Sequence, residues 1–307
     1  LDLPQFVQVA EITDTEVYAY TPAALSNAIA TLTPVVIVFP DDLDEGEEAA
    51  MAYLTETGLL AFSDQEGAGI FLVRDAASLG EAGIKVYDQI ISLFGSTGMG
   101  FGMSTEEKTD VGYTTYVSMV YAVGEGSGAS FVQQVLTQHC DVLSAVLTVG
   151  GEMPEELPAY SPLAAYLVSA SPETVSYFRK VNDADSEKAL EEAVEYYDEN
   201  DPVKRVVVAG EGEKLTEDIF LAGWNAVLRK TTRCAVYDPV WWKGYVSASE
   251  NGGLKLQERP IAEELGLVFH TCSDPDALPH VSSWCEWIPE EALAEDNEKV
   301  YPLILTY

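Results

Sequence analysis

Short apolar runs alternate with amphipathic segments along most of the chain. Six of the runs predict buried strands, because each is short, apolar and bounded by turn-forming or charged residues. They are PVVIVF (34–39), GLLAFSD (58–64), GIFLVRD (69–75), YVSMVYAV (116–123), VLSAVLTVGG (142–151) and KRVVVAGEGE (204–213).

The segments between these runs predict helices. The first, 41–58, carries acidic residues in its first turn and Gly58 as its C-cap. The section between 151 and 204 is polar and predicts further helix, with SEKALEEAVEYYDEN its clearest part. The remaining predicted helices are IKVYDQIISLF (84–94), FVQQVLTQH (131–139) and LTEDIFLAGWNAVLRKT (215–231). This alternation predicts an α/β fold, with a doubly wound, mostly parallel sheet covered on both faces.

Composition and charge limit the classes of molecule that this protein is expected to bind. Of 307 residues, 47% are apolar, which is enough for a sizeable core, and the formal net charge is −35. Nucleic acids and anionic membrane surfaces need clustered Lys and Arg, so neither is expected as a partner. No apolar run reaches the roughly 18 residues that span a bilayer.

Few residues are of the types that bind metals. The chain has four Cys, with no CxxC pair, and three His. Such a set predicts neither a metal site nor a cofactor. The segment that follows Leu1 lacks the features of a signal peptide. The sequence therefore leaves two locations open. The protein is either cytoplasmic or secreted, and in the second case its signal peptide has been removed.

A glycine-rich turn, VGEGSGAS (123–130), lies between a predicted strand and a predicted helix. A phosphate-binding loop of this kind requires a Lys that the turn lacks, and its GxGxG spacing is a poor match to the dinucleotide fingerprint. A nucleophile elbow, G-x-S-x-G, has the same strand–turn–helix context. The elbow is therefore the better match.

The turn resembles the elbow of the α/β-hydrolase superfamily, and in particular that of polyhydroxybutyrate depolymerases and feruloyl esterases. AVGEGSGAS aligns without a gap with the family's AVGESAGAS, and Gly126 stands where the family has its serine. The resemblance covers about residues 7–280, mostly in pattern. It implies an esterase-like fold and, as a possible ligand, a small-molecule ester or a carbohydrate-linked compound. It also places Glu213 at the position of the triad acid and His280 at that of the late histidine.

Two departures from the family pattern predict that the catalytic site is degenerate. Gly126 has no side chain with which to attack a carbonyl. Pro40 and Asp41 replace the His-Gly of the family's oxyanion loop. Pro40 has no backbone N–H to donate, and Asp41 adds a negative charge where an oxyanion would form. The first hypothesis is therefore an inactive domain that serves as a structural or ligand- or partner-binding module.

The alternative is an active serine carboxylesterase. Shifting the elbow by one residue makes Ser127 the nucleophile, with Glu213 and His280 as its partners. The flanking positions then become Glu125 and Ala129, where the family has glycines. Ser127 is otherwise an ordinary residue at the start of a helix.

A weak internal repeat bears on domain organisation. The segment VYAYTPAAL, which precedes TPVVIVF, is echoed near the end by CEWIPEEAL, which precedes YPLILTY. We predict one hydrolase-like domain over residues 1–282. Residues 283–307 are either the start of a second, truncated copy or the last strands of the first domain.

Overall fold

The computed structural model describes residues 4–25, 33–96, 115–116, 118–154, 156–237, 245–246, 254–259, 261, 264, 266–271 and 283–287. The chain divides into two compact units, Leu1–Glu258 and Arg259–Tyr307. In the second unit, two strands form an antiparallel hairpin in which Leu267 pairs with Trp287. The domain boundary at residue 282 and the second copy remain predictions.

The described elements follow one another as strands and helices over most of the chain. The strands are β1 (Gln5–Gln8), β2 (Val17–Thr21), β3 (Val35–Phe39), β4 (Gly69–Val73), β5 (Gly95–Ser96), β6 (Thr115–Tyr116), β7 (Val120–Glu125), β8 (Leu143–Val149), β9 (Ala164–Val168), β10 (Ser186–Ala189), β11 (Ala193–Asp198), β12 (Asp201–Ala209), β13 (Thr231–Tyr237), β14 (Tyr245–Val246), β15 (Leu254–Glu258), β16 (Leu267–Thr271) and β17 (Ser283–Trp287). The α-helices are α1 (Glu47–Glu56), α2 (Leu59–Glu66), α3 (Ala76–Leu79), α4 (Ala82–Phe94), α5 (Gly126–Gln134), α6 (Pro172–Val181) and α7 (Glu217–Ala226).

One ten-stranded sheet organises the first unit, in the order β1-β2-β4-β3-β7-β8-β9-β12-β11-β10. The strands from β4 to β12 in this order run parallel to one another. Antiparallel strands extend the sheet at both edges, β1 and β2 at one and β11 and β10 at the other. The predicted doubly wound, mostly parallel sheet is confirmed.

Strand β3 illustrates why the central strands are apolar throughout. Val35, Ile37 and Phe39 point into a core shared with α4, α5 and α6. Val36 and Val38 point to the other face, into a core shared with α1, α2 and α7. Successive side chains of a strand alternate between faces, so a strand with helices on both sides must be apolar at every position.

Two of the predicted elements are wrong. GLLAFSD forms helix α2 rather than a strand; Gly58 and Gly67, both with left-handed backbone, bound the helix. A short apolar run does not distinguish a buried helix from a strand, and here Phe62 packs edge-on against Trp224 of α7. SEKALEEAVEYYDEN forms the hairpin β10–β11 rather than a helix, because β11 pairs along its length with β12.

The section between 151 and 204, predicted only as further helix, also contains strand β9 and helix α6. Strand β9 is buried at all five positions and lies between β8 and β12. Helix α6 follows it, with Ser171 as its N-cap accepting a hydrogen bond from the amide of Thr174. Strand β9 completes the parallel run and brings one more loop to the carboxyl end of the sheet.

Candidate functional site

The glycine-rich turn lies at the carboxyl end of the central strand β7. Glu125 closes the strand with extended backbone (φ −128°, ψ 134°), and α5 begins at the next residue. Gly126 has φ +53°, in the left-handed region that residues with a side chain rarely adopt. The chain therefore reverses direction at Gly126, and this residue is the apex of the turn.

Glycines on either side of the apex allow close backbone packing. A Cβ on Gly128 would lie 2.0 Å from the carbonyl oxygen of Phe39, and one on Gly124 would lie 2.7 Å from Cα of Ala129. These neighbours are backbone atoms, which do not swing aside as side chains do. The two glycines stand two residues before and two after Gly126, which is the spacing of G-x-S-x-G centred on Gly126.

Asp41 reaches the turn from the loop that follows β3. Its Oδ1 accepts a hydrogen bond from the backbone N–H of Ser127, at 2.7 Å. The hydroxyl of Ser127 in turn donates to the backbone carbonyl of Asp41, at 3.0 Å. A Cβ built on Gly126 would lie only 2.3–2.6 Å from the atoms of the Asp41 carboxyl group. The carboxylate thus fills the space at the apex.

Glu125 is buried beneath the turn. Its Oε2 accepts a hydrogen bond from the hydroxyl of Tyr53 in α1, at 2.9 Å. Burial, followed by the nearby charge of Glu125, raises the pKa of Tyr53 well above its ordinary value. The Tyr53 hydroxyl thus stays protonated and acts as a donor that holds the Glu125 side chain under the elbow.

The neighbouring loops at this end of the sheet are tied by Ser169. Its hydroxyl donates to the carbonyl of Gly212 at 2.9 Å and accepts from the N–H of the same residue at 2.8 Å. Ser169 has φ +50°, which is unusual for a residue other than glycine. This bridge joins the end of β9 to the loop after β12.

The three predicted triad residues stand as follows. Ser127 is the second residue of α5 and is partly buried. Glu213 lies in the loop after β12 and is exposed. His280 lies outside the described residues. The sequence alone did not point to Tyr53, which no motif marks, or to Ser169, because strand β9 before it was not predicted.

In the described part of the chain, no three His, Cys, Asp or Glu side chains are grouped in a way that could hold a metal ion. No helix among those residues combines the length and apolar character needed to cross a membrane.

The turn lies at the carboxyl end of a central strand of a mostly parallel sheet, and a helix follows it directly. This strand–turn–helix order is the one in which the nucleophile-elbow motif occurs. The predicted α/β sheet and the predicted context of the turn are confirmed, while the chemistry of the turn depends on its own residues.

No protein-family model matches the chain, and no curated protein matches its sequence. Among solved structures, an acetyl xylan esterase from Aspergillus awamori is 12% identical with a TM-score of 0.44, over 67% of this chain and 92% of its own. A dienelactone hydrolase from Anabaena variabilis is 13% identical with a TM-score of 0.41, over 74% of this chain and 100% of its own. Similarity at this level carries no information on substrate or activity.

Proposed function

We propose that this chain is a catalytically inactive, esterase-like α/β-hydrolase domain, which serves as a structural or ligand- or partner-binding module. The observation that carries the proposal is the glycine at the apex of the elbow. Gly126 has the left-handed backbone of the turn and offers no nucleophile. Removing the nucleophile from such a site typically lowers turnover by about a million-fold.

The position of Ser127 supports the same proposal. A serine nucleophile donates its hydroxyl proton to a general base. The hydroxyl of Ser127 donates instead to the backbone carbonyl of Asp41, which does not take up a proton at neutral pH. Ser127 also lies one residue beyond the apex, within the first turn of α5.

The loop after β3 argues against stabilisation of an oxyanion. Pro40 has no backbone N–H to donate. The N–H of Ser127, which follows the apex, already donates to the Asp41 carboxylate. A developing negative charge would therefore meet a negative charge where hydrolases place hydrogen-bond donors.

The alternative is an active serine carboxylesterase that uses Ser127, Glu213 and His280. It requires the Ser127 hydroxyl to leave the Asp41 carbonyl and turn toward a histidine. It also requires the Asp41 carboxylate to release the Ser127 amide. This alternative remains the competing hypothesis against which the first is tested.

The ligand class is also a proposal. The resemblance to esterases favours a small-molecule ester or a carbohydrate-linked ligand. The Asp41 carboxylate at the turn, on a chain of net charge −35, disfavours an anionic ligand. A neutral ligand is therefore the best supported.

A fluorophosphonate probe tests the proposal directly, because it modifies activated serines. The purified full chain is incubated with the probe and the labelled peptide is mapped by mass spectrometry. Cooperative thermal unfolding shows that the protein is folded, and an active serine esterase in the same reaction serves as positive control. We expect no label on Ser127. A label on Ser127 that disappears in Ser127→Ala would overturn the proposal in favour of the alternative.

A further inference from the structure

Helix α5 is capped from outside its own sequence. Its N-cap residue, Glu125, makes no side-chain hydrogen bond to the first turn. Its carboxylate binds Tyr53 instead. Asp41, 86 residues earlier in the chain, supplies the acceptor for the N–H of Ser127. The positive end of the helix dipole and a free amide thus meet a carboxylate from the loop after β3.

The same carboxylate also occupies the volume of a side chain that the turn lacks. All three carboxyl atoms of Asp41 lie within 2.6 Å of the place where a Cβ on Gly126 would be. A serine at position 126 and the Asp41 carboxylate cannot both occupy this space. The absence of a nucleophile and the presence of the carboxylate are therefore one coupled arrangement.

We propose that Asp41 is an internal plug of the elbow. Its carboxylate occupies the space of a nucleophile's side chain. At the same time it accepts the hydrogen bond of the Ser127 amide, which would otherwise be free to receive an anionic oxygen. This inference rests on the proposed function, because it takes Gly126 as the apex. It adds that the anion-receiving amide is intact and is closed by the chain itself.

The exposure of Asp41 makes the plug removable. The residue lies at the surface, so a small molecule that replaced its carboxylate would approach from solvent without opening the core. Once the carboxylate is gone, the Ser127 amide and the start of α5 are free to bind a small carboxylate in its place. The alternative is that Asp41 merely caps the helix, in which case its removal weakens the fold and creates no binding.

Acetate distinguishes these two roles. The ¹⁵N-labelled full chain is titrated with sodium acetate, with sodium chloride at the same ionic strength as control, and the Ser127 amide resonance is followed. We expect Asp41→Ala to bind acetate at least about tenfold more tightly than the wild type, as one charge-assisted hydrogen bond becomes available. Asp42→Ala, the matched control, should behave as the wild type. A folded Asp41→Ala whose Ser127 resonance ignores acetate would overturn the plug.

A double-mutant cycle tests the coupled volume independently of any ligand. Gly126→Ser is introduced into the wild type and into Asp41→Ala, and Tm is measured for all four proteins. We expect the loss of Tm on Gly126→Ser to be smaller by at least about 2 °C when Asp41 is absent. Equal losses in both backgrounds would contradict the shared volume. Neither result depends on the fluorophosphonate experiment, so the plug and the inactive site fail separately.

Discussion

At each end of the central sheet a charged side chain contacts the backbone, and these two side chains, Asp41 and Arg233, have opposite charge and opposite burial. At the carboxyl end, the exposed Asp41 accepts from the N–H of Ser127. At the amino end, Arg233 of β13 is only 2% exposed and donates to the backbone carbonyls of Leu143 and Pro162. The first contact closes a surface site, whereas the second lies within the core.

This difference in burial indicates different roles for the two charged side chains. Burial lowers the pKa of Arg233, yet a guanidinium stays charged and must find acceptors. The acceptors are backbone oxygens next to β8 and β9, so Arg233 fixes β13 across the starts of those strands. The carboxylate of Asp41 is solvated and replaceable, so its contact governs access to the elbow more than stability.

The largest effect should come from removing the buried charge. Arg233→Leu takes the donor from two backbone carbonyls, and we expect it to lower the free energy of unfolding by about 3–5 kcal/mol. Urea unfolding measures this, with Lys188→Ala on the exposed strand β10 as control. A loss below about 1 kcal/mol would mean that water or neighbouring donors replace the guanidinium.

Substitution of the glycines of the elbow should give the next largest loss in the free energy of unfolding. Gly128→Ala would drive its Cβ into the carbonyl of Phe39, which is backbone, and we expect a loss of about 3 kcal/mol. The three atoms nearest to a Cβ on Gly126 belong to the side chain of Asp41, which can move, and the left-handed backbone of Gly126→Ala should cost about 1–2 kcal/mol. Urea unfolding of both variants ranks them. The reverse order would mean that the Phe39 backbone yields to an added Cβ more readily than the apex of the turn does.

The sequence predicted the core of the fold because its parallel strands are apolar on both faces. PVVIVF, YVSMVYAV and VLSAVLTVGG are too short and too rich in β-branched residues for helices, and all three supplied central strands. SEKALEEAVEYYDEN misled because its Glu, Lys and Ala favour helix locally. Pairing with β12, a tertiary contact, decided its structure.

The candidate site was predicted in part. The strand–turn–helix context and the gap-free alignment with the G-x-S-x-G elbow identified the turn, and Pro40 and Asp41 were recognised as poor replacements for an oxyanion loop. The hydrogen bond from Ser127 to Asp41 was beyond prediction, because it joins residues 86 positions apart through a single side-chain rotamer. Ser169 was missed because strand β9, which positions it, was missed.

A smaller effect concerns the thiol beside the buried arginine. Burial raises the pKa of Cys140 to about 11, although the charge of Arg233 opposes the shift. The folded state thus favours the neutral thiol, and this contribution to stability is complete below about pH 9 and lost as the pH rises through 11. At pH 8, iodoacetamide should modify Cys140 at least about a hundredfold more slowly in the folded than in the unfolded chain. Peptide mapping measures both rates, and equal rates would place Cys140 at the surface.

The smallest effect on stability belongs to the plug itself. Asp41→Asn keeps an oxygen acceptor and the volume of the side chain but loses the charge, whereas Asp41→Ala loses all three. We expect losses of less than about 0.5 kcal/mol for the first and about 1 kcal/mol for the second in urea unfolding. If Asp41→Ala instead destabilised the chain as much as Arg233→Leu does, the carboxyl end would depend on its charge just as the amino end does. Asp41 would then belong to the structural framework, and a role in controlling access to the elbow would be secondary.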